Sequence, residues 1–394
     1  MDAAEHHRHF KLPMKGALLA AFSTFVAIVV FTRLRATPYD NYVLLADAFL
    51  HGHAWIDWPG AYVDALLFEG KRYVIEAPMP AILLMPFVAI FGTSTNQSLL
   101  AAALAGVTVG TGWELARRLH ASFETRLWLC GFLLLGTDLF WCAACGGVWF
   151  TAHVSAAAFT LLTLLELKGK RRAWLVALYA CCAAESRFTL ALALPVYAVL
   201  VATDPPAALR PRKLFAFCSI VAAFAAFWVL YNEARWHLPY DAGYTLWYRQ
   251  DGAGSPSGSP FQLQYLPEQL YSFIVRFPDR LETYPYFRPA FAGIALTWTS
   301  PALLLAFLAY KPGRLVLAAR IAAVLTIVPN LLYYVNGSMQ FGMRHALDFE
   351  PFLFLLMVLA ARPRLRWYGK LLCGYSMLVG VWGMWYWVTY YSLI

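Results

Sequence analysis

The sequence predicts an all-α integral membrane protein, a bundle of about eleven transmembrane helices with two long outer loops and interfacial or re-entrant helices. Three observations lead there. Of 394 residues, 61% are hydrophobic and 13% charged, with mean hydropathy +0.56, a balance foreign to soluble domains. The apolar runs are broken by Pro, Gly and polar residues and do not alternate, which indicates helices and not a barrel. Lys and Arg gather in every second connecting segment, the pattern of loops kept on the cytoplasmic side.

The first element is the apolar run 17–32, preceded by a segment with Arg8, Lys11 and Lys15. No small-residue cleavage site ends it, so it reads as an uncleaved anchor with a cytoplasmic N-terminus. Outer loop 1 follows at 35–97. Inside it, 77–92 is apolar but holds Pro78, Pro80 and Pro86. At about 1.5 Å per residue this run is too short for a core of about 30 Å. Crossing would also place Arg117 and Arg118 outside, so a re-entrant or interfacial helix is expected. The next span is 98–119. Residues 127–167 exceed one helix and break at CGGVWF, giving a hairpin. Residues 173–202 repeat this, with Glu185, Ser186 and Arg187 at the outer tip.

A span at 214–231 leads to outer loop 2, 232–289. Spans at 290–310 and 315–334 lead to outer loop 3, 335–351. The spans 352–361 and 371–391 then bring the C-terminus outside. The chain 1–394 reads as one domain, and it shows no internal repeat of the kind inverted-repeat transporters carry. Most of its 31 Lys and Arg fall in the segments assigned to the cytoplasm, and most of its 22 Asp and Glu fall outside. The net charge of +9 is therefore a topology signal and gives no reason to expect nucleic acid. Seven scattered cysteines lie mostly in apolar runs and suit packing. Cys142 and Cys145 form a CxxC, but no further Cys or His stands at ligand spacing, so no metal or cofactor is expected.

Chemistry-bearing residues gather in the outer loops. Loop 1 holds Asp40, Asp47, Asp57, Asp64, Glu69 and Glu76. A solvated loop accounts for Asp57 and Asp64. Asp40 stands just beyond the first helix, where a base could meet a lipid-borne substrate, and Glu76 is the second choice. Loop 2 holds the Gly/Ser/Pro segment 251–260, either a lid or a linker. After it, Leu270, Phe273, Ile274 and Phe277 recur at helical spacing, and Arg276, Arg280 and Arg288 suit lipid headgroups. Loop 3 packs Gln340, Arg344, His345, Asp348 and Glu350 into one stretch. Arg344 and Asp348 stand at i,i+4 and can pair; alternatively Arg344 faces an anionic leaving group. Arg187 can pair with Glu185, and His153 can be a ligand or a satisfied helix-end histidine. Asn96-Gln97-Ser98 and Asn336-Gly337-Ser338 match the short glycosylation pattern.

Three stretches, DNYVLLADAFLHG, GKRYVIEAPMPAILLMPFVAIFG and QFGMRHALDFEPFLFLL, taken together resemble the GT-C superfamily of membrane glycosyltransferases. The nearer likeness is to the bacterial branch related to protein O-mannosyltransferases and aminoarabinose transferases. The resemblance implies a GT-C-like fold that moves a sugar from a polyprenyl-phosphate donor to an acceptor glycan, lipid or protein. The transfer would occur with inversion, on the outer side of a bacterial inner membrane. It implies that Asp40 is the base. The chain departs from the pattern where Asp40 is followed by Asn41 in place of a second acid, and where Ala77-Pro78-Met79-Pro80 stands for Lys-Pro-Pro.

The residues suit that chemistry. A carboxylate takes the acceptor proton as oxygen attacks the anomeric carbon. Arginines such as Arg187, Arg344 and Arg288, with Gln340, His345 and His153, suit the donor phosphate, and a monophosphate leaving group requires no metal. A lipid or sugar transporter or flippase is an alternative, as is an inactive scaffold on the same fold. A transporter should hold its ionisable groups near the bilayer midplane, whereas here they gather at outer helix ends.

Overall fold

The computed structural model describes residues 3–57, 65–203, 207–240, 242–250, 258–311 and 313–390. Asp64 and most of the Gly/Ser/Pro segment of loop 2 lie outside them.

Helix α1 (Ala3–Thr32) carries the anchor. In loop 1, α2 (Asn41–Leu50) is followed by a hairpin of β1 (Ala65–Phe68) and β2 (Lys71–Val74), paired Ala65↔Val74 to Phe68↔Lys71. Glu69 and Gly70 turn it with φ of 48° and 76°, as a two-residue turn with two left-handed positions requires. Helix α3 (Met79–Phe91) ends the loop. Its 13 residues rise about 20 Å, short of a bilayer core of about 30 Å, as expected of an interfacial or re-entrant helix.

Helix α4 (Gln97–Arg118) packs between α1 and α7 (Val148–Leu167). Lipid tails are as apolar as leucine, so close backbone approach decides such contacts. A Cβ at Gly106 would stand 2.6 Å from the Ala21 carbonyl oxygen, so glycine is what lets α1 lie against α4. The run before α7 breaks twice. Helices α5 (Phe123–Leu135) and α6 (Leu139–Cys145) meet at 47°, and α6 ends at Gly146, whose φ of 62° turns the chain into α7. The second break was expected at CGGVWF; the first was not.

The next hairpin is α8 (Ala173–Ala184), a 3-10 stretch Phe188–Ala193 and α9 (Leu194–Thr203), broken at Glu185–Arg187. Helix α10 (Arg210–Trp236) leads to loop 2 with α11 (Tyr244–Gln250), α12 (Leu266–Ile274) and a small hairpin of β3 (Asp279–Arg280) and β4 (Phe287–Arg288). On α12, Phe273 is buried with the polar Gln269 and Ser272, while Leu270 and Ile274 are exposed, and Phe277 lies past the end of the helix, so most of the expected apolar face is turned away from the protein core. The chain returns through α13 (Leu296–Thr299), a 3-10 stretch Pro301–Leu308 and α14 (Arg314–Leu332). A 3-10 stretch Arg344–Asp348, α15 (Glu350–Ala361) and α16 (Trp367–Tyr390) complete it.

Six helices among the described residues are long and apolar enough to cross a membrane, or seven with α5 and α6 as one bent span. The other expected crossings fall on α8, on the Phe188–Thr203 stretch, on α15 and on the irregular 290–310 segment, which are shorter or are not regular α-helix. In the last, Pro301 and the residues around it favour 3-10 turns over a straight span.

Candidate active site

A cavity of about 910 Å³, within the size range of small-molecule sites, opens at one end of these helices. Its walls come from the stretch after α1 (Arg35–Tyr39), the segment after β2 (Ile75, Glu76), the α6–α7 corner, the tip after α8 (Arg187–Thr189), loop 2 and the chain after α14. One side is aromatic, with Phe188, Trp228, Tyr244, Phe261 and Tyr333 among its residues. Tyr244 meets Phe261 and Tyr333 with ring centroids 6.1 and 5.8 Å apart.

The polar floor is one network built on Asp348, which is fully buried. Arg187 donates to Asp348 Oδ2 through Nη2 (3.1 Å) and to Oδ1 through Nε (3.2 Å). Thr189 Oγ1 donates to Oδ2 at 2.8 Å and Asn330 Nδ2 at 3.1 Å. His153 Nδ1 donates to Oδ1 at 3.0 Å, because a carboxylate only accepts. Burial alone would raise the Asp348 carboxyl; Arg187 and His153 beside it outweigh that and hold it well below the usual carboxylate range. Arg187 Nη2 also lies 3.1 Å from His345 Nδ1. A guanidinium only donates, so Nδ1 accepts and the His345 proton sits on Nε2. Burial first, and Arg187 second, hold this imidazole well below its ordinary value of 6.5.

The sequence-derived residues separate on this map. Glu76, Arg187, His153, Arg344 and His345 line the cavity. Asp40 does not; it is half-buried at the N-terminus of α2, one residue past lining Tyr39, and burial raises its carboxyl above the ordinary 3.8. The i,i+4 pair of Arg344 with Asp348 does not form. The stretch is a 3-10 turn, Asp348 is taken by Arg187, and Arg344 instead donates to the Ser338 carbonyl (3.2 Å) and lies 5.3 Å from the Phe150 ring. Arg187 likewise turns to Asp348 and not to neighbouring Glu185. Gln340 is buried outside the lining, donating to the Ala292 and Asn336 carbonyls at 2.8 Å each, and so staples loop 3. Arg288 is exposed and pairs with Asp279 across the β3–β4 hairpin, away from the lining.

Sequence reasoning missed Gln97, Thr189 and Asn330. Gln97 Oε1 accepts from Tyr42 N (3.0 Å), and its Nε2 donates to the Gly146 (2.8 Å) and Tyr39 (3.2 Å) carbonyls, tying the Asp40 stretch to the α6–α7 corner. Its neighbour Asn96 caps α4 by accepting from Ser98 N, so the Asn-Gln-Ser motif is used for structure.

No family model and no curated protein matches the chain. Among solved structures it is similar to the crystal structure of ArnT from Cupriavidus metallidurans bound to undecaprenyl phosphate. The identity is 17% and the TM-score 0.53, over 93% of this chain and 63% of that one. The chain thus spans less than two thirds of that protein's length. The likeness carries the fold, a helical membrane bundle similar to that of ArnT.

Proposed function

We propose that the protein is a GT-C-type glycosyltransferase that moves a sugar from a polyprenyl-phosphate donor to an acceptor glycan, lipid or protein on the outer face, with inversion. The N-terminus is cytoplasmic and the C-terminus outside in this reading. The observation that carries it is the cavity at one end of the helices, which joins a carboxylate, three arginines and two histidines to an aromatic wall. The lipid phosphate bound to the neighbour of the same fold supports the donor class.

In this reaction the acceptor hydroxyl attacks the anomeric carbon and gives its proton to a carboxylate. Glu76, on the wall, is favoured for that role over Asp40, which is not among the lining residues. The bond from the anomeric carbon to the phosphate oxygen breaks, and the polyprenyl phosphate leaves with the electron pair. Arg344 and the Nε2–H of His345 suit its growing charge. Arg187, neutralised by Asp348, holds His345 in the donor tautomer.

The test is transfer by purified protein in phospholipid vesicles, using undecaprenyl-phosphate pentoses and hexoses with membrane-extract acceptors. Release of undecaprenyl phosphate together with a glycosylated product supports the reading. Donor that crosses the bilayer unconsumed would replace it with a flippase.

A further inference from the structure

Glu76 sits in a segment held at both ends, and one of the two holders is a buried cation. Arg235 lies in the last turn of α10 and is 1% exposed. Before its last turns, most of α10 shows apolar side chains outward, with Phe215 at 75% and Leu230 at 68% exposed, as a bilayer-facing helix does. A guanidinium buried at the end of such a helix is costly and calls for a specific partner. Two are present: Nη1 donates to the Val74 carbonyl at 2.9 Å and Nη2 to Asn232 Oδ1 at 2.6 Å. The guanidinium carbon stands 3.8 Å from the Tyr231 ring centre and 3.7 Å from that of Trp236, within cation–π range of both.

The Val74 carbonyl is the last of strand β2, and the chain from it runs through Ile75 to Glu76 at the cavity wall. Five residues past Val74, Met79 N donates to the Glu185 carbonyl at 3.0 Å. Between these anchors stands Pro78, whose φ is fixed by its ring. Tyr73, one residue before Val74, packs edge-on to Trp236 at 6.1 Å. The Glu76 backbone therefore hangs between the end of α10 and the tip of α8, two elements far apart in sequence.

We propose that Arg235 is a positioning residue for Glu76, fixing where its carboxylate meets the acceptor hydroxyl. This rests on the reading of Glu76 as the base. A displacement of about 1 Å at a reacting group can cost about 10²-fold, so a lost anchor is felt in turnover before it is felt in binding.

The experiment is a double-mutant cycle of Arg235→Met with Glu76→Gln, on the undecaprenyl-phosphate sugar that supports wild-type transfer. Arg235→Met is expected to lower kcat about 10²-fold with little change in donor KM. The double variant is expected to be no slower than Glu76→Gln alone, since residues acting as a unit are non-additive. Equal losses in both backgrounds would overturn the proposal, because a general structural defect slows Glu76→Gln as well. A near-normal Glu76→Gln would instead remove the base assignment, and the positioning role with it.

A readout without turnover runs in parallel. With Cys145 and Cys218, the two cysteines that are not buried, replaced by Ser, Glu76→Cys and Ser338→Cys report the cavity wall to a thiol reagent added outside. Arg235→Met should change the reaction rate at position 76 and leave 338 unchanged. No change at 76, or equal change at both, would count against the proposal. If Arg235→Met does not fold, Arg235→Lys reaches one acceptor instead of two, and about a tenfold loss of kcat confined to the Glu76 background is expected.

Discussion

Replacing Asp348 with Asn tests the network that holds the cavity floor. The change keeps the shape and removes the charge from a carboxylate with no exposure. Arg187, His153, Thr189 and Asn330 all donate to it. An amide offers them one acceptor oxygen and turns its NH₂ toward groups that donate. Arg187 then keeps a charge without its counter-ion. Removing one partner of a buried pair costs about 3–5 kcal/mol. Arg187 is 15% exposed and faces the cavity, so water reaches it, and a loss at the lower end, about 3 kcal/mol, is expected. The assay is reversible unfolding in mixed micelles. A second arm compares Asp348→Leu with Asp348→Leu plus Arg187→Leu; the double variant should recover part of the single loss, since an apolar pair often replaces a buried ion pair at little cost. A loss under about 0.5 kcal/mol for Asp348→Asn, within the range of ordinary surface changes, would refute the reasoning. The folded carboxyl titrates below its ordinary 3.8, so the stabilisation is complete above that pH and constant through the neutral range.

His345 is held below its ordinary 6.5, so the unfolded chain takes up a proton first as pH falls. Stability should decline from pH 7 to pH 5, by up to about 1.4 kcal/mol per unit, and His345→Asn, whose Oδ1 can replace Nδ1 as acceptor, should flatten that decline; an unchanged slope in this variant would contradict the assignment of the decline to His345. Arg344→Lys keeps the charge but loses the planar fork and should impair turnover per folded molecule, whereas intact turnover in Arg344→Ala would assign the residue to structure. Cysteine placed at Ser122, between α4 and α5, should resist an impermeant reagent on intact cells; labelling would mean that α3 crosses and the inside–outside assignment fails.

The long apolar helices were legible because composition and length alone identify them: α1, α4, α7, α10, α14 and α16 lie where the apolar runs do. The short α3 was legible from its prolines. The bend between α5 and α6 was not, since nothing in LLLGTDLFW exceeds the ambiguity of a single Gly. The site was legible as a set of loops, and Glu76, Arg187, His153, Arg344 and His345 do meet at one cavity. Their pairing was hidden. Sequence offers near neighbours, so Arg344 stood beside Asp348 and Arg187 beside Glu185; the real partners, Arg187 and Asp348, lie 161 positions apart. Gln97 and Arg235 were hidden for the same reason, because each acts on backbone carbonyls of distant segments that leave no mark on side-chain pattern.

Sugar transfer at the cavity is tested most directly by comparing wild type, Glu76→Gln and Asp40→Asn, purified and reconstituted, for undecaprenyl phosphate released from an undecaprenyl-phosphate sugar in the presence of acceptor. Release by wild type, reduced about 10²–10⁴-fold in Glu76→Gln at unchanged donor binding, is the expected result. Loss confined to Asp40→Asn would move the base to that residue. Release unaffected by either change, or none from wild type with any pentose or hexose donor, would contradict catalysis at this site.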